Sequence, residues 1–374
     1  MNKMGAAIKC LAVATAMAAA LGSAEEVKNH YILCEVDVKC AAIPVFAYIG
    51  SSSSNYVTVI DTDANVVVAL VDVGQTTTGV AVNPAGTRAY FANGESLVVL
   101  DTSTNAMVAT VAYGVGSDLV ASVAVTSDGT RVYVTDPQNQ GIAVIDTATN
   151  RVISAELGGA HNVFALAPTP DGTHLYVTNS YDDTITVVDT VARTVVATIP
   201  VNNPYTSPPS AAGDWSALPL GVVLNRAGTR AYVANAWLSN QAGGDVYMSV
   251  VDTATNAIIA NVPTGPAESI AITSDPDGTR VYLSNGAVID TASNSIVATL
   301  PLDTHGENSV RGLALTPSGT RLYAAVTSPP SVIVIDVNTR SVVATIPIWW
   351  GTPFAMGQFI APPIPRAVDT DVQP

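Results

Sequence analysis

A single motif recurs along this chain about every 40 residues, a period suited to one supersecondary unit that buries its faces only by stacking on its neighbours. One well-formed copy runs from Val163 to Val201 and contains four alternating runs separated by turn signals. Its first turn is a small or acidic residue, then Gly-Thr and usually Arg, with the glycines at Gly86, Gly129, Gly172, Gly228, Gly278 and Gly319. Glycine tolerates the positive φ that a tight hairpin demands. The second run carries Tyr90, Tyr133, Tyr176, Tyr232, Tyr282 and Tyr323, with Tyr48 at the matching place of an incomplete first copy. The third run ends in Asp61, Asp101, Asp146, Asp189, Asp252, Asp290 and Asp336, each followed by threonine or valine. The fourth is a Val-Val-Ala-Thr-Ile type of run, whose alternation suits a half-buried outer strand. Tyrosines and aspartates both count seven. The predicted fold is therefore all-β, a seven-bladed β-propeller of four-stranded antiparallel blades.

Six copies are complete and the first lacks its inner strand. Gly357 to Pro362 repeats the Gly-to-Pro spacing of Gly79 to Pro84 and Gly312 to Pro317. This predicts that the C-terminal strand pairs with the N-terminal three strands, closing the ring and satisfying edges that would otherwise template aggregation. The predicted division is 1–24 as an export signal, 25–44 as an N-terminal strap, 45–362 as the propeller and 363–374 as a tail. The signal reads from Lys3 and Lys9, the apolar stretch Cys10 to Leu21, and the small residues Gly22, Ser23 and Ala24. With Cys10 in the signal, Cys34 and Cys40 remain, and in an oxidising compartment they are expected to form a disulfide that braces the strap.

The repeat resembles the YVTN family, which contains surface-layer and periplasmic propellers. Tyr176-Val177-Thr178-Asn179 is the literal motif, and Tyr133-Val134-Thr135-Asp136 and Tyr232-Val233-Ala234-Asn235 are its relatives. The likeness covers about residues 45 to 362. It implies architecture and an extracytoplasmic setting, periplasmic, secreted or at the cell surface, and little chemistry.

Loss of Lys3 and Lys9 from 15 basic residues leaves 13 against 30 acidic ones, a formal charge of about −17. Such a chain disfavours phosphate backbones and anionic membrane surfaces, so nucleic acid is not an expected partner. No segment offers about 18 uninterrupted apolar residues, so no integral membrane anchor is expected. The expected state is a monomer. Cys-x-x-Cys-His, Gly-x-Ser-x-Gly, P-loop and dinucleotide motifs are all absent, which argues against covalent haem, serine-hydrolase and nucleotide chemistry.

The repeated residues read first as structure. Asp-Thr with Asn a few residues on is turn chemistry, because these side chains bond nearby backbone groups. The tyrosines suit packing between blades with the hydroxyl satisfied at the rim. The arginines after Gly-Thr suit hairpin partners, and His174 replaces one of them.

Gly-Thr and Asp-Thr turns must emerge on one face of the disc, and all length variation falls on the other. The stretches Asn202 to Pro219 and Trp237 to Asp245 are long, while the link at Asn285 and Gly286 is contracted. All four tryptophans, Trp215, Trp237, Trp349 and Trp350, fall in links of this irregular face, where rigid aromatic area favours binding a protein, peptide or glycan. For Trp349 and Trp350, which precede the closing strand, capping the closure is an equal alternative. His161, Asn162, Glu268, His305, Glu307, Asn308 and Arg311 lie in the same links. As a solvated rim they carry no chemistry. As a converging set they suit a metal-assisted lyase or lactone hydrolase like the streptogramin-lyase and lactonase propellers. His161, His305 and Glu307 or Glu268 would then hold a divalent ion, with Arg311 steadying an anionic oxygen. The leading expectation is a non-enzymatic binding or scaffold propeller without a cofactor. A surface-layer role, distinguished by ordered self-assembly, is a third.

Overall fold

The computed structural model describes residues 45–93, 95–114, 122–136, 141–154, 163–180, 182–201, 217–236, 246–265, 269–302 and 310–360. Every described element is a strand, and the strands form seven four-stranded antiparallel sheets. The chain is a seven-bladed β-propeller. No helix among the described residues is long and apolar enough to cross a membrane. The export signal, the strap and the Cys34–Cys40 pair lie outside the described residues.

Blade four shows how the repeat becomes a blade. Val163–Pro168 is its inner strand, followed outward by His174–Asn179, Thr184–Asp189 and Thr194–Pro200. The second and third strands are buried along nearly their whole length, because both faces of the blade are covered by neighbouring blades. The outermost strand alternates exposed and half-buried residues, as its sequence period requires. In all seven blades the outermost pairing slips by one residue near its start, as between Val187 and Val188 or between Val59 and Ile60. Such a bulge increases local twist, which lets the outer edge of each blade splay from the axis.

The turns confirm the structural reading of the repeated residues. All six Gly-Thr glycines adopt positive φ between 69° and 75°. Each of the seven aspartates folds back on its own turn, as when Asp252 accepts the N–H groups of Ala254 and Thr255. These bonds hold the Asp189 and Asp336 carboxyls below the usual aspartate range. The threonine after the aspartate ties the two turns of a blade together, with Thr190 donating to the Gly172 carbonyl at 2.6 Å and Thr253 to that of Gly228 at 2.6 Å.

The seven repeat tyrosines are at most 1% exposed, and Tyr48, Tyr176 and Tyr323 latch their blade to the next. Tyr176 donates to Asn256 Oδ1 at 2.7 Å and Tyr323 to Asn65 Oδ1 at 2.7 Å, while Tyr48 reaches Asn105 at 3.3 Å. Burial pushes the Tyr176 and Tyr323 hydroxyls up to about 12. The accepting asparagines stand at φ near 55°, a left-handed position that asparagine tolerates better than most residues. In blade four that position is Arg193 at φ 58°, and the facing Tyr133 hydroxyl is buried without a partner among the described residues. Arg193→Asn supplies the missing acceptor and relieves the backbone. It is expected to stabilise the fold by about 1 kcal/mol, read as a rise in melting temperature of a few degrees.

The ring closes by pairing of the first described strand, Phe46–Ser51, with the last described residues, as the repeat requires, with an added feature. Ile360 stands opposite Ala47 as Val82 stands opposite Ala89, the register that aligns Gly357 with Gly79. Pairing begins earlier than the sequence predicts, however. Pro353–Phe354 forms a strand against Ser51 and Gly50, and the residues between the two pairings leave the blade. Met356 and Gln358 instead hydrogen-bond along the channel-side edge of the blade-two inner strand Gly79–Val82.

Candidate functional site

The strand order places the Gly-Thr and Asp turns on one face and all long links on the other. At the centre of the irregular face the channel is filled by the chain's own closing segment. Phe354 and Met356 pack with Leu218 and Leu220 of blade five and Ile270 of blade six, all at most 8% exposed. The Ala355 N–H points at the Arg311 carbonyl of blade seven, and the Met356 N–H donates to Thr78 of blade two at 3.0 Å. Gly357 lies against the carbonyls of Val80 and Val123, in blades two and three. One short segment thus touches inner strands around the ring, and the side chains packed on it from blades five and six are apolar.

Arg311 belongs to this plug. Its guanidinium carbon sits 5.8 Å from the centroid of the Phe354 ring, a cation–π distance, and the residue is partly buried. His161, Asn162, Trp215, Trp237, Glu268, His305, Glu307 and Asn308 lie outside the described residues. No group of three or more metal-ligating side chains occurs among the described residues.

Trp349 and Trp350 are the described tryptophans, and both stand out from the surface, at 77% and 45% exposure. Their link is fastened to the loop between the first two strands of blade one. Thr352 and Ser52 bond backbone to backbone at 3.1 Å, the Thr352 N–H donates to Ser53 Oγ at 2.8 Å, and the Ser54 hydroxyl donates to the Trp350 carbonyl. A side chain at Gly351 would meet Ser51 and Ser54, so the two loops are in close contact. Tyr56, 40% exposed, follows directly on that loop. The result is an aromatic shelf edged by serine and threonine hydroxyls and held on a hydrogen-bonded frame. Sequence reasoning placed Trp349 and Trp350 in links of this face and missed Tyr56 and Ser52 to Ser54. The signal was the run Ser51-Ser-Ser-Ser-Asn-Tyr56, an irregular link in an otherwise regular blade.

No family model and no curated relative matches this chain. Solved structures do. A functionally unknown protein from Desulfotomaculum acetoxidans aligns with a TM-score of 0.63 at 16% identity, over 85% of this chain and 99% of that one. The Cps50 (Swd1) β-propeller domain of Myceliophteria thermophila aligns with a TM-score of 0.60 at 13% identity, over 76% and 90%. Hydrazine synthase of Kuenenia stuttgartiensis aligns with a TM-score of 0.58 at 21% identity, over 72% and 86%. What they share with this chain is the propeller. At such identities the likeness extends to the fold and no further.

Proposed function

We propose that the protein is an exported binding propeller that holds a protein, peptide or glycan on its irregular face, with Trp349 and Trp350 among its anchors. The exposure of this indole pair carries the reading. Tryptophans that capped the ring closure would be buried, and the closure is capped instead by Phe354 and Met356. Two exposed indoles on one link offer large contact area at low conformational-entropy cost, and aromatic anchors beside hydroxyl donors are typical of binding surfaces. The Tyr-Val-Thr-Asn repeat at 176–179 supports grouping the chain with the surface-layer and periplasmic YVTN propellers, where a binding or scaffold role suits the same architecture.

The competing reading, a metal-assisted lyase or lactonase, needs residues of blades four and seven to meet over the channel mouth. The apolar plug in that mouth argues against it. The untagged mature protein is expected to carry well under one equivalent of divalent metal, and its melting temperature should not move with a chelator. A resident ion at about 100 times its dissociation constant contributes about 2.7 kcal/mol, so its removal is detectable. A near-stoichiometric metal lost on His161→Ala or His305→Ala would overturn the binding reading in favour of the enzyme.

A further inference from the structure

On the plain face, away from the aromatic shelf, a groove of about 490 Å³ opens between blades four and five. Its walls include Thr169, Asp171, His174, Tyr176, Gly228 and Thr253. The groove coincides with the one complete copy of the repeat whose Gly-Thr turn is followed by histidine. The other five carry Arg88, Arg131, Arg230, Arg280 and Arg321.

Two of those arginines show what such a space accepts, whereas Arg88 and Arg230 pair with Asp101 and Asp252 of their own blades. Arg131 extends from blade three to donate through Nη1 to the Thr190 carbonyl of blade four, at 3.3 Å. Arg321 extends from blade seven to the Thr62 carbonyl of blade one, at 3.0 Å. The corresponding carbonyl for blade four is that of Thr253, in the wall of the groove. Among the described residues no hydrogen bond reaches it. The imidazole of His174 is shorter than an arginine and is engaged locally, its Nδ1 lying 2.8 Å from the Thr173 hydroxyl. Asp171 stands beside it as a carboxylate, kept charged by the Thr169 hydroxyl and the Thr173 N–H.

We propose that this groove is a receptor for the guanidinium group of an arginine side chain carried by another polypeptide. The fold builds a junction that at two other places around the ring takes an arginine of the preceding blade, leaves it unfilled here, and lines it with a turn carbonyl and a carboxylate. A guanidinium offers planar, forked donors suited to such a pair of acceptors, whereas an ammonium presents its donors from a single point. The chain's formal charge of −15 draws such cationic segments toward it.

The test is a titration of the full chain with Nα-acetyl-arginine amide and, separately, Nα-acetyl-lysine amide, followed by amide chemical shifts. The arginine probe is expected to give saturable shifts at Gly228, Thr253 and Ala254, with the lysine probe weaker by about tenfold. His174→Arg restores the residue of the other copies and should abolish the response by filling the groove from within. Arg321→Ala should create a second responding site at Asp61 to Asp63. Equal responses to the two probes, no response in the wild type, or an unchanged response in His174→Arg would each overturn the proposal. If His174→Arg failed to fold, the arginine-against-lysine comparison on the wild type would decide alone.

Discussion

Ending the chain at Thr352 is expected to abolish the cooperative native state, not merely to lower its melting temperature by a few degrees. The deletion strips Gly50 and Ser51 of their strand partners and removes the carbonyl of Phe359, which accepts the Tyr48 N–H at 2.9 Å. It also withdraws Phe354, Met356, Phe359 and Ile360, which are 7%, 4%, 0% and 2% exposed. Burial of four such side chains stabilises by about 6–12 kcal/mol, at about 1.5–3 kcal/mol each. Whole domains are stable by only about 5–15 kcal/mol. A ring lacking these residues also exposes the edge of blade one, so dye binding to exposed apolar surface and a loss of monodispersity should accompany the broadened melt. A truncated chain that melts cooperatively near the wild-type temperature would show that the closure is dispensable.

Gly357→Ala should have the second-largest effect, and it separates the plug from the chain end as a whole. Gly357 adopts φ +129°, a conformation nearly confined to glycine. An added methyl would also run into the Val80 carbonyl and lie 2.8 Å from that of Val123, both of them fixed backbone. Backbone strain of about 1–3 kcal/mol and overpacking of about 1–3 kcal/mol together predict a loss of about 2–6 kcal/mol. Gly74→Ala is the matched control, because Gly74 has φ +74° and nothing within 4 Å of the added carbon. It should cost about 1 kcal/mol, the backbone part alone. Denaturant melts of the two variants should therefore differ by several-fold in free energy lost. Equal losses would mean that the segment does not press on blades two and three.

Much of this architecture is legible in the sequence because its determinants are local and repeated. A glycine at each tight turn, an aspartate that folds onto the residues two and three further on, and an alternating outer strand are each written within a few positions of where they act. The closing register was legible too, since Gly357 to Pro362 copies the spacing of other inner strands. What the repeat conceals is non-local. The asparagine after each Asp-Thr turn is visible, but its tyrosine partner lies 57 positions away for Tyr48 and Asn105 and 258 for Tyr323 and Asn65. The excursion at Met356 has no counterpart in other copies, so no pattern announces it. Arg88 and Arg230 pair with Asp101 and Asp252 of their own blades, as hairpin partners should, whereas Arg131 and Arg321 cross to the next blade. Identical sequence positions thus take different partners according to the neighbouring turn. On the irregular face, counting strands was enough to place Trp349 and Trp350. That they stay exposed while Phe354, four positions after Trp350, is buried in the channel cluster is a matter of packing that no local pattern records.

The most direct test of the binding account compares the wild type with the Trp349→Ala, Trp350→Ala double variant. Each is immobilised, exposed to an envelope extract of the source organism, and assayed for the amount of each protein or glycan retained. Both indoles are exposed, so the melting curves should coincide. Recovery of the partner should fall by about tenfold or more, the loss expected when about 1.4 kcal/mol or more of anchor contact is removed. Equal recovery by both forms, with the same partner retained, would contradict the assignment of this face as the binding surface.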